Sequence, residues 1–374
     1  MGQTAAGTLI AGPHLPIVRV APTDTKVSQN SAGLLQDSWG RVATDLRISL
    51  TDKCNLRCQY CMPAEGLDWL PSEQLLTASE LVRLARIAVE LLGVKEIRFT
   101  GGEPLLRKDL LNILSSIRRD FAQLPLSLTT NGLGLDKHAQ SLVAAGLNRI
   151  NVSLDSICPQ TFAKLTRRDR LKDVLAGVDA AHRAGLSPIK INAVLMPGIN
   201  DQQGPELLAW ALEKGYQLRF IEQMPLDADH RWSREKTVSA ARIRQSLSQH
   251  YRLQLSDKNP VSAPAKVWDV YPLGSSAGAA ALGQVGIIAS VTEPFCSSCT
   301  RTRLTADGKI RSCLFSQTET DLMLALRTGA SDRQLAELWQ DAMWAKPAAH
   351  GKNTAGFEAE DFVQPARSMS AIGG

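Results

Sequence analysis

Leu46-Arg47-Ile48-Ser49-Leu50-Thr51-Asp52-Lys53-Cys54-Asn55-Leu56-Arg57-Cys58-Gln59-Tyr60-Cys61 joins a short apolar run to three cysteines spaced C-x3-C-x2-C. The run at 46–50 reads as a strand, and the cysteines as the loop that follows it. Three thiolates within eight residues leave one position of a bound metal group without a protein ligand. An open position is where metal chemistry happens. A structural zinc site normally has a fourth Cys or His close by, and the next histidine is His138.

Outward from this stretch, five more apolar or β-branched runs follow, at 96–99, 126–129, 149–154, 189–195 and 217–221. Helical patterns separate them. Residues 78–92 place Leu81, Leu84, Ala85, Ala88, Leu91 and Leu92 on one face, and Gly93 follows as a stop. Residues 171–184 and 205–214 are helical and end at Gly185 and Gly215. Strand–helix alternation predicts parallel βαβ units, and six in a row predict an α/β fold built as a partial (βα)6, TIM-like barrel.

Such barrels carry their functional groups on loops after the strands. Here those loops are the cysteine loop, Thr100-Gly101-Gly102-Glu103-Pro104, Thr130-Asn131-Gly132, Asp155-Ser156 and Glu222-Gln223-Met224-Pro225. They are expected to converge on one rim. Residues 1–35, rich in Gly, Ala, Pro, Ser and Thr, are expected to be a flexible extension. Residues 36–250 are expected to form the barrel. Residues 251–374, with a Gly/Ala-rich linker at 274–283, form a smaller C-terminal domain that carries a second cysteine group.

The chain has 374 residues, 44% hydrophobic and 21% charged, with a formal net charge of +5. That mild basicity does not call for nucleic acid, and it suits a polyanionic small substrate if the arginines cluster. No apolar run reaches the roughly 18 residues of a membrane span, and no secretory signal pattern opens the chain. Ala6 stands where a myristoylation motif has Ser or Thr. A cytoplasmic protein is expected, in which clustered thiols bind metal or do chemistry rather than form disulfides.

The second group is Cys296, Cys299 and Cys313, spaced C-x2-C-x13-C. Arg301 and Arg303 stand beside it, two apart, and would share one side of an extended segment. Guanidinium forks suit phosphate oxygens. The seventh cysteine, Cys158, precedes Pro159 outside both groups and reads as an ordinary half-buried thiol.

The C-x3-C-x2-C spacing, followed after the second strand by Gly101-Gly102-Glu103-Pro104, resembles the radical S-adenosylmethionine superfamily. The second triplet, the segment Asp37-Ser38-Trp39-Gly40-Arg41 and the ending Arg367-Ser368-Met369-Ser370-Ala371-Ile372-Gly373-Gly374 narrow this. Together they resemble the GTP 3′,8-cyclase family of molybdenum cofactor biosynthesis over almost all of residues 36–374.

The resemblance implies that Cys54, Cys58 and Cys61 hold a [4Fe-4S] cluster that binds S-adenosylmethionine. Tyr60, Gly102, Ser153 and Met224 are implied to contact that cofactor. Arg47, Arg98, Thr129, Lys190, Arg301, Thr302 and Arg303 are implied to contact GTP. Cys296, Cys299 and Cys313 are implied to hold a second [4Fe-4S] cluster whose open iron faces the guanine. Arg301, Arg303, Gly373 and Gly374 are implied to support the chemistry, in which a 5′-deoxyadenosyl radical takes the 3′ hydrogen of GTP and C3′ bonds to C8.

The implied partners are a flavodoxin- or ferredoxin-like reductant and a downstream cyclic pyranopterin monophosphate synthase. No nucleic acid or membrane partner is implied, and a homodimer is allowed. A peptide-modifying radical maturase would have more C-terminal cysteines and no arginine pair beside them. A two-cluster electron carrier would have four cysteines per cluster and no barrel.

Overall fold

The computed structural model describes residues 33–259, 262–276, 278–350 and 363–373. Most of the expected N-terminal extension, and Gly374, lie outside the described residues.

Each of the six apolar runs forms a strand: β1 (Asp45–Ser49), β2 (Glu96–Thr100), β3 (Leu126–Thr130), β4 (Arg149–Ser153), β5 (Ile189–Val194) and β6 (Gln217–Ile221). All are parallel and pair in sequence order. Helices cover the outside: α1 (Ala78–Glu90), α2 (Leu110–Asp120), α3 (Leu135–Ala144), α4 (Pro159–Thr166), α5 (Leu171–Arg183) and α6 (Gly204–Glu213). A capping box between Thr77 and Glu80 starts α1. Its inward face buries Leu81, Leu84 and Ile87, each worth roughly 1.5–3 kcal/mol. Gly93 follows its end at φ +72°, where a side chain is disfavoured.

Past residue 220 come α7 (Ala240–Ser248), β7 (Tyr251–Leu255), β8 (Lys266–Pro272), β9 (Gly283–Ile288), β10 (Arg301–Leu304), β11 (Lys309–Arg311) and β12 (Thr320–Asp321). The chain then closes with α8 (Leu322–Arg327), α9 (Asp332–Trp344) and α10 (Met369–Ile372). The sheet continues into this region at both ends. β9 runs parallel on β6, and β10 runs parallel on β1. The full order is β12-β11-β10-β1-β2-β3-β4-β5-β6-β9-β8-β7. The six-strand barrel therefore becomes eight parallel strands, left open between β9 and β10, where the connecting loop carries Cys296 and Cys299.

The strands alternate with period two, although strands buried on both faces usually read as continuous apolar runs. Leu46, Ile48, Ile97, Phe99, Leu126, Leu128, Leu218 and Phe220 are fully buried under the helices. Arg47, Arg98, Ser127, Lys190, Asn192 and Arg219 occupy the alternate positions, which face the lumen. Ordinary TIM-like barrels fill that space with branched apolar side chains. A lumen lined with cations is built to hold something else.

Candidate active site

The first cysteine loop is built against the loop after β2. The Gly102 amide donates to Thr51 O at 2.7 Å, and the Glu103 amide to Lys53 O at 2.7 Å. A Cβ on Gly102 would stand 2.3 Å from Lys53 O, and one on Gly101 would stand 2.4 Å from Thr51 O. Gly101 also has φ +145°. These glycines are therefore required for two backbones to meet, a reason separate from any ligand.

Glu103 is fully buried and accepts from Thr130 Oγ1, the Asn131 amide and the Leu105 amide. Burial pushes its carboxyl up to about 7. Asn131 Nδ2 donates to Asn55 Oδ1 at 2.7 Å and reaches the Cys54 sulfur at 3.7 Å. Tyr60 donates its hydroxyl to Asp155 at 2.7 Å, and Asp155 also accepts from the Val194 amide. Burial raises Asp155 to about 6. Burial, then the Asp155 charge, pushes the Cys58 thiol well up, and burial with the Cys54 charge takes Cys61 up to about 12. Ser153 ends β4, opposite Asn192. Cys158 caps α4 away from this loop, its thiol donating to Gln160 at 3.3 Å.

Inside the barrel lie two adjoining cavities of about 140 and 380 Å³ that share Arg47, Arg98, Arg219 and Arg301. The first also meets Thr129, Met224, Arg303 and the second cysteine triplet. The second meets Lys190 and runs to the strand starts at Asp45, Glu96 and Arg149. The expected rim is thus one end of a channel through the lumen. The Nε atoms of Arg47, Arg98, Arg219 and Arg303 and one terminal nitrogen of Arg301 are buried without a hydrogen-bond partner.

Burial and mutual repulsion hold Arg47 and Arg98 below the usual arginine value and bring Lys190 down to about 8. Arginines do not give up the proton, so these unsatisfied donors leave the lumen with a strong demand for a polyanion. Sequence reading missed Arg219, Asn192 and Arg149. The signal was present in Arg219, a basic residue mid-strand like Arg47 and Arg98. Thr302 differs from its neighbours, because its hydroxyl accepts from Trp339 Nε1 at 2.9 Å on the helix side and does not line the cavity.

Cys296, Cys299 and Cys313 all line the first cavity. Glu222, after β6, accepts from the Val291 and Thr292 amides and the Thr292 hydroxyl, and so ties down the loop that carries Cys296 and Cys299. Arg41, paired with Asp37 at 2.6 Å, donates to Cys296 O, Pro347 O and Ala348 O. Burial alone would raise the Cys299 thiol, but the charges of Arg301 and Lys346 outweigh it and hold it down at about 6.

The C-terminal segment is anchored by Arg367 on Asp307 and Glu319. Ile372 is buried beside Leu226, Val291, Leu314 and Phe315. Gly373, at φ +79°, sits where a Cβ would stand 2.8 Å from Thr100 and 3.0 Å from Ser49. Gly373 thus sits at the C-terminal ends of β1 and β2, beside the first cysteine loop.

Each triplet offers three half-exposed thiols, a donor set that suits iron–sulfur clusters. Among the described residues no three His, Cys, Asp or Glu side chains are gathered as a single metal ion needs. Among the described residues no helix is long and apolar enough to cross a membrane.

The radical SAM superfamily model matches residues 48–211, and the Molybdenum Cofactor Synthesis C model matches residues 216–352. The chain is 61% identical to the GTP 3′,8-cyclase of Paenarthrobacter nicotinovorans, over 91% of this chain and 97% of that protein. It is 54% identical to the GTP 3′,8-cyclase of Mycolicibacterium smegmatis, over 96% of this chain and 98% of that protein. Its fold is like that of SuiB from Streptococcus suis, solved bound to S-adenosylmethionine, with a TM-score of 0.55 at 16% identity, covering 83% of this chain and 68% of that one. The resemblance carried by the two triplets and the Gly-Gly ending is borne out: this chain belongs to the GTP 3′,8-cyclase family of radical S-adenosylmethionine enzymes.

Proposed function

We propose that this chain converts GTP to (8S)-3′,8-cyclo-7,8-dihydroguanosine 5′-triphosphate, the first step of molybdenum cofactor biosynthesis. The observation that carries the reading is the set of unpartnered, buried guanidinium nitrogens lining one channel between two cysteine triplets. A triphosphate brings about four negative charges near neutral pH and many acceptor oxygens, which match those donors.

Cys54, Cys58 and Cys61 hold the first iron–sulfur cluster, and Tyr60, Gly102, Ser153 and Met224 frame S-adenosylmethionine beside it. When bound there, the cluster and S-adenosylmethionine would supply radical chemistry directed at C3′ of GTP. Arg47, Arg98, Lys190 and Arg219 take the triphosphate, and Thr129 and Asn192 lie along the same wall. Arg301 and Arg303 orient the nucleotide toward Cys296, Cys299 and Cys313, which would hold a second [4Fe-4S] cluster on the guanine side of the substrate.

Gly373, beside Ser49 and Thr100 at the ends of β1 and β2, supports the chemistry together with Gly374. The enclosed lumen keeps water from the radical and fixes C3′ against C8, so the protein contributes orientation and exclusion. Residues 36–250 act as the six-strand barrel, and 251–374 as the part that carries the second cysteine triplet and the GTP-binding Arg301 and Arg303. A flavodoxin- or ferredoxin-like protein supplies electrons in the cytoplasm, and cyclic pyranopterin monophosphate synthase consumes the product.

The test is anaerobic reconstitution with iron and sulfide, followed by S-adenosylmethionine, a reductant and GTP. The expected result is 5′-deoxyadenosine together with a cyclised GTP product. Cleavage of S-adenosylmethionine with GTP returned unchanged would overturn the substrate.

A further inference from the structure

Lys346, just beyond α9, is buried at 3% exposure. Its ammonium donates to Arg301 O at 2.9 Å, to Cys299 O at 3.4 Å and to the Cys299 sulfur at 3.4 Å. No carboxylate among the described residues pairs with it. A buried cation without an anion is costly and is normally paired or bound to an anionic group. Among the described residues, the one partner of Lys346 that can carry negative charge is the thiolate of Cys299.

The position of Lys346 is enforced. The Arg41 guanidinium grips the carbonyls of Pro347 and Ala348, which follow Lys346, and also the carbonyl of Cys296. Arg41 is itself held by Asp37, so the segment 37–41 clamps the lysine loop to the second cysteine loop. Lys346 lines neither cavity, unlike Arg301 and Arg303. A bound polyanion would neutralise those two arginines but leave Lys346 as it is. Among the described residues no lysine or arginine side chain donates to a sulfur of the first triplet. There the one side-chain donor reaching in from another strand loop is the neutral Asn131 amide.

We infer that Lys346 is an electrostatic positioning residue for the second iron–sulfur cluster: its ammonium, set on the Cys299 sulfur, favours the reduced, more negative state and raises the reduction potential of that cluster. The inference rests on the two-cluster reading above. Each added electron adds a negative charge at the sulfurs, and a nearby hydrogen-bond donor with a full positive charge stabilises it, little screened in a dry site. The first cluster, among Glu103 and Asp155, receives no such help.

The test uses the reconstituted full chain and the variants Lys346→Gln, Lys346→Met and Lys346→Arg. Iron and sulfide per chain are measured, and each cluster is titrated redox-wise by EPR. In both neutral variants the second cluster is expected to stay loaded but to become harder to reduce. At the wild-type midpoint its reduced-to-oxidised ratio should fall roughly three- to tenfold. The first cluster should titrate unchanged, and Lys346→Arg should hold the wild-type midpoint.

An unmoved second midpoint in fully loaded Lys346→Gln and Lys346→Met would overturn the inference. So would loss of iron from the second site in both neutral variants with Lys346→Arg fully loaded, because Lys346 would then serve assembly and not potential. Failure of the two-cluster reading would appear earlier, as wild-type protein with iron for one cluster only.

Discussion

The two cysteine triplets carry the same three donors in opposite surroundings. Around the first, burial pushes all three thiols up, with the Glu103 charge adding at Cys54, the Asp155 charge at Cys58 and the Cys54 charge at Cys61, which reaches about 12. Around the second, burial still pushes Cys296 up, but Arg301, Lys346 and Arg303 pull Cys299 down to about 6 against the effect of burial. Thiolate count therefore does not set the role of a site; the charges facing it do. An electron-rich, carboxylate-flanked cluster is suited to give an electron away. A cluster ringed by cations is suited to sit beside a polyanion.

The most severe test of this contrast removes one ligand from each side. Cys58→Ala should abolish S-adenosylmethionine cleavage altogether. Cys299→Ala should keep cleavage and lose cyclisation, as read by chromatography of 5′-deoxyadenosine and the GTP product. Equal loss of cleavage in both variants would erase the division of labour.

Next in size, Arg219→Met removes a buried guanidinium whose Nε has no partner and whose terminal nitrogen donates to Asn151 Oδ1. GTP should bind about 10- to 100-fold more weakly, the equivalent of a charged hydrogen bond, with S-adenosylmethionine binding unchanged by calorimetry. The ligand-free melting temperature should rise, because a buried charge that no carboxylate among the described residues pairs with is gone. Unchanged GTP affinity would place the triphosphate elsewhere.

The smallest effect is on pH. Burial and Arg219 depress Lys190 to about 8 in the empty enzyme, and a bound triphosphate favours its charged form. Below about pH 7 the lysine is already protonated, so GTP affinity should be flat. Above about 8 binding must take up a proton, so affinity should fall by up to about tenfold per pH unit. Lys190→Met should bind weakly at all pH values and lose that slope.

The six strands of the barrel could be read from sequence because each is a short apolar run, and glycine-stopped helical patterns precede β2, β5 and β6. β6 spans the expected residues, and β2 extends the expected run by one residue at its C-terminal end. The pairing of β9 with β6 and of β10 with β1 could not be read, because register between distant strands leaves no local pattern. The arginine pair at 301 and 303 was found because strand spacing puts both on one face. Lys346 was missed because a single lysine in a loop looks like any solvated lysine until the fold buries it. The strand-facing glycines 101 and 102 were recognised, but their crowding against Thr51 and Lys53 shows only in three dimensions.

β1 and β6 each meet their outer neighbour only beyond residue 282. A fragment ending near residue 250 would therefore present two bare strand edges, each with a row of unpaired amides and carbonyls. Such edges recruit other chains. Shortening this protein from its C-terminus would strip away the covering of the sheet and invite edge-to-edge aggregation. During synthesis, the strand that leads into the first cysteine loop waits with one side open until the last quarter or so of the chain has emerged.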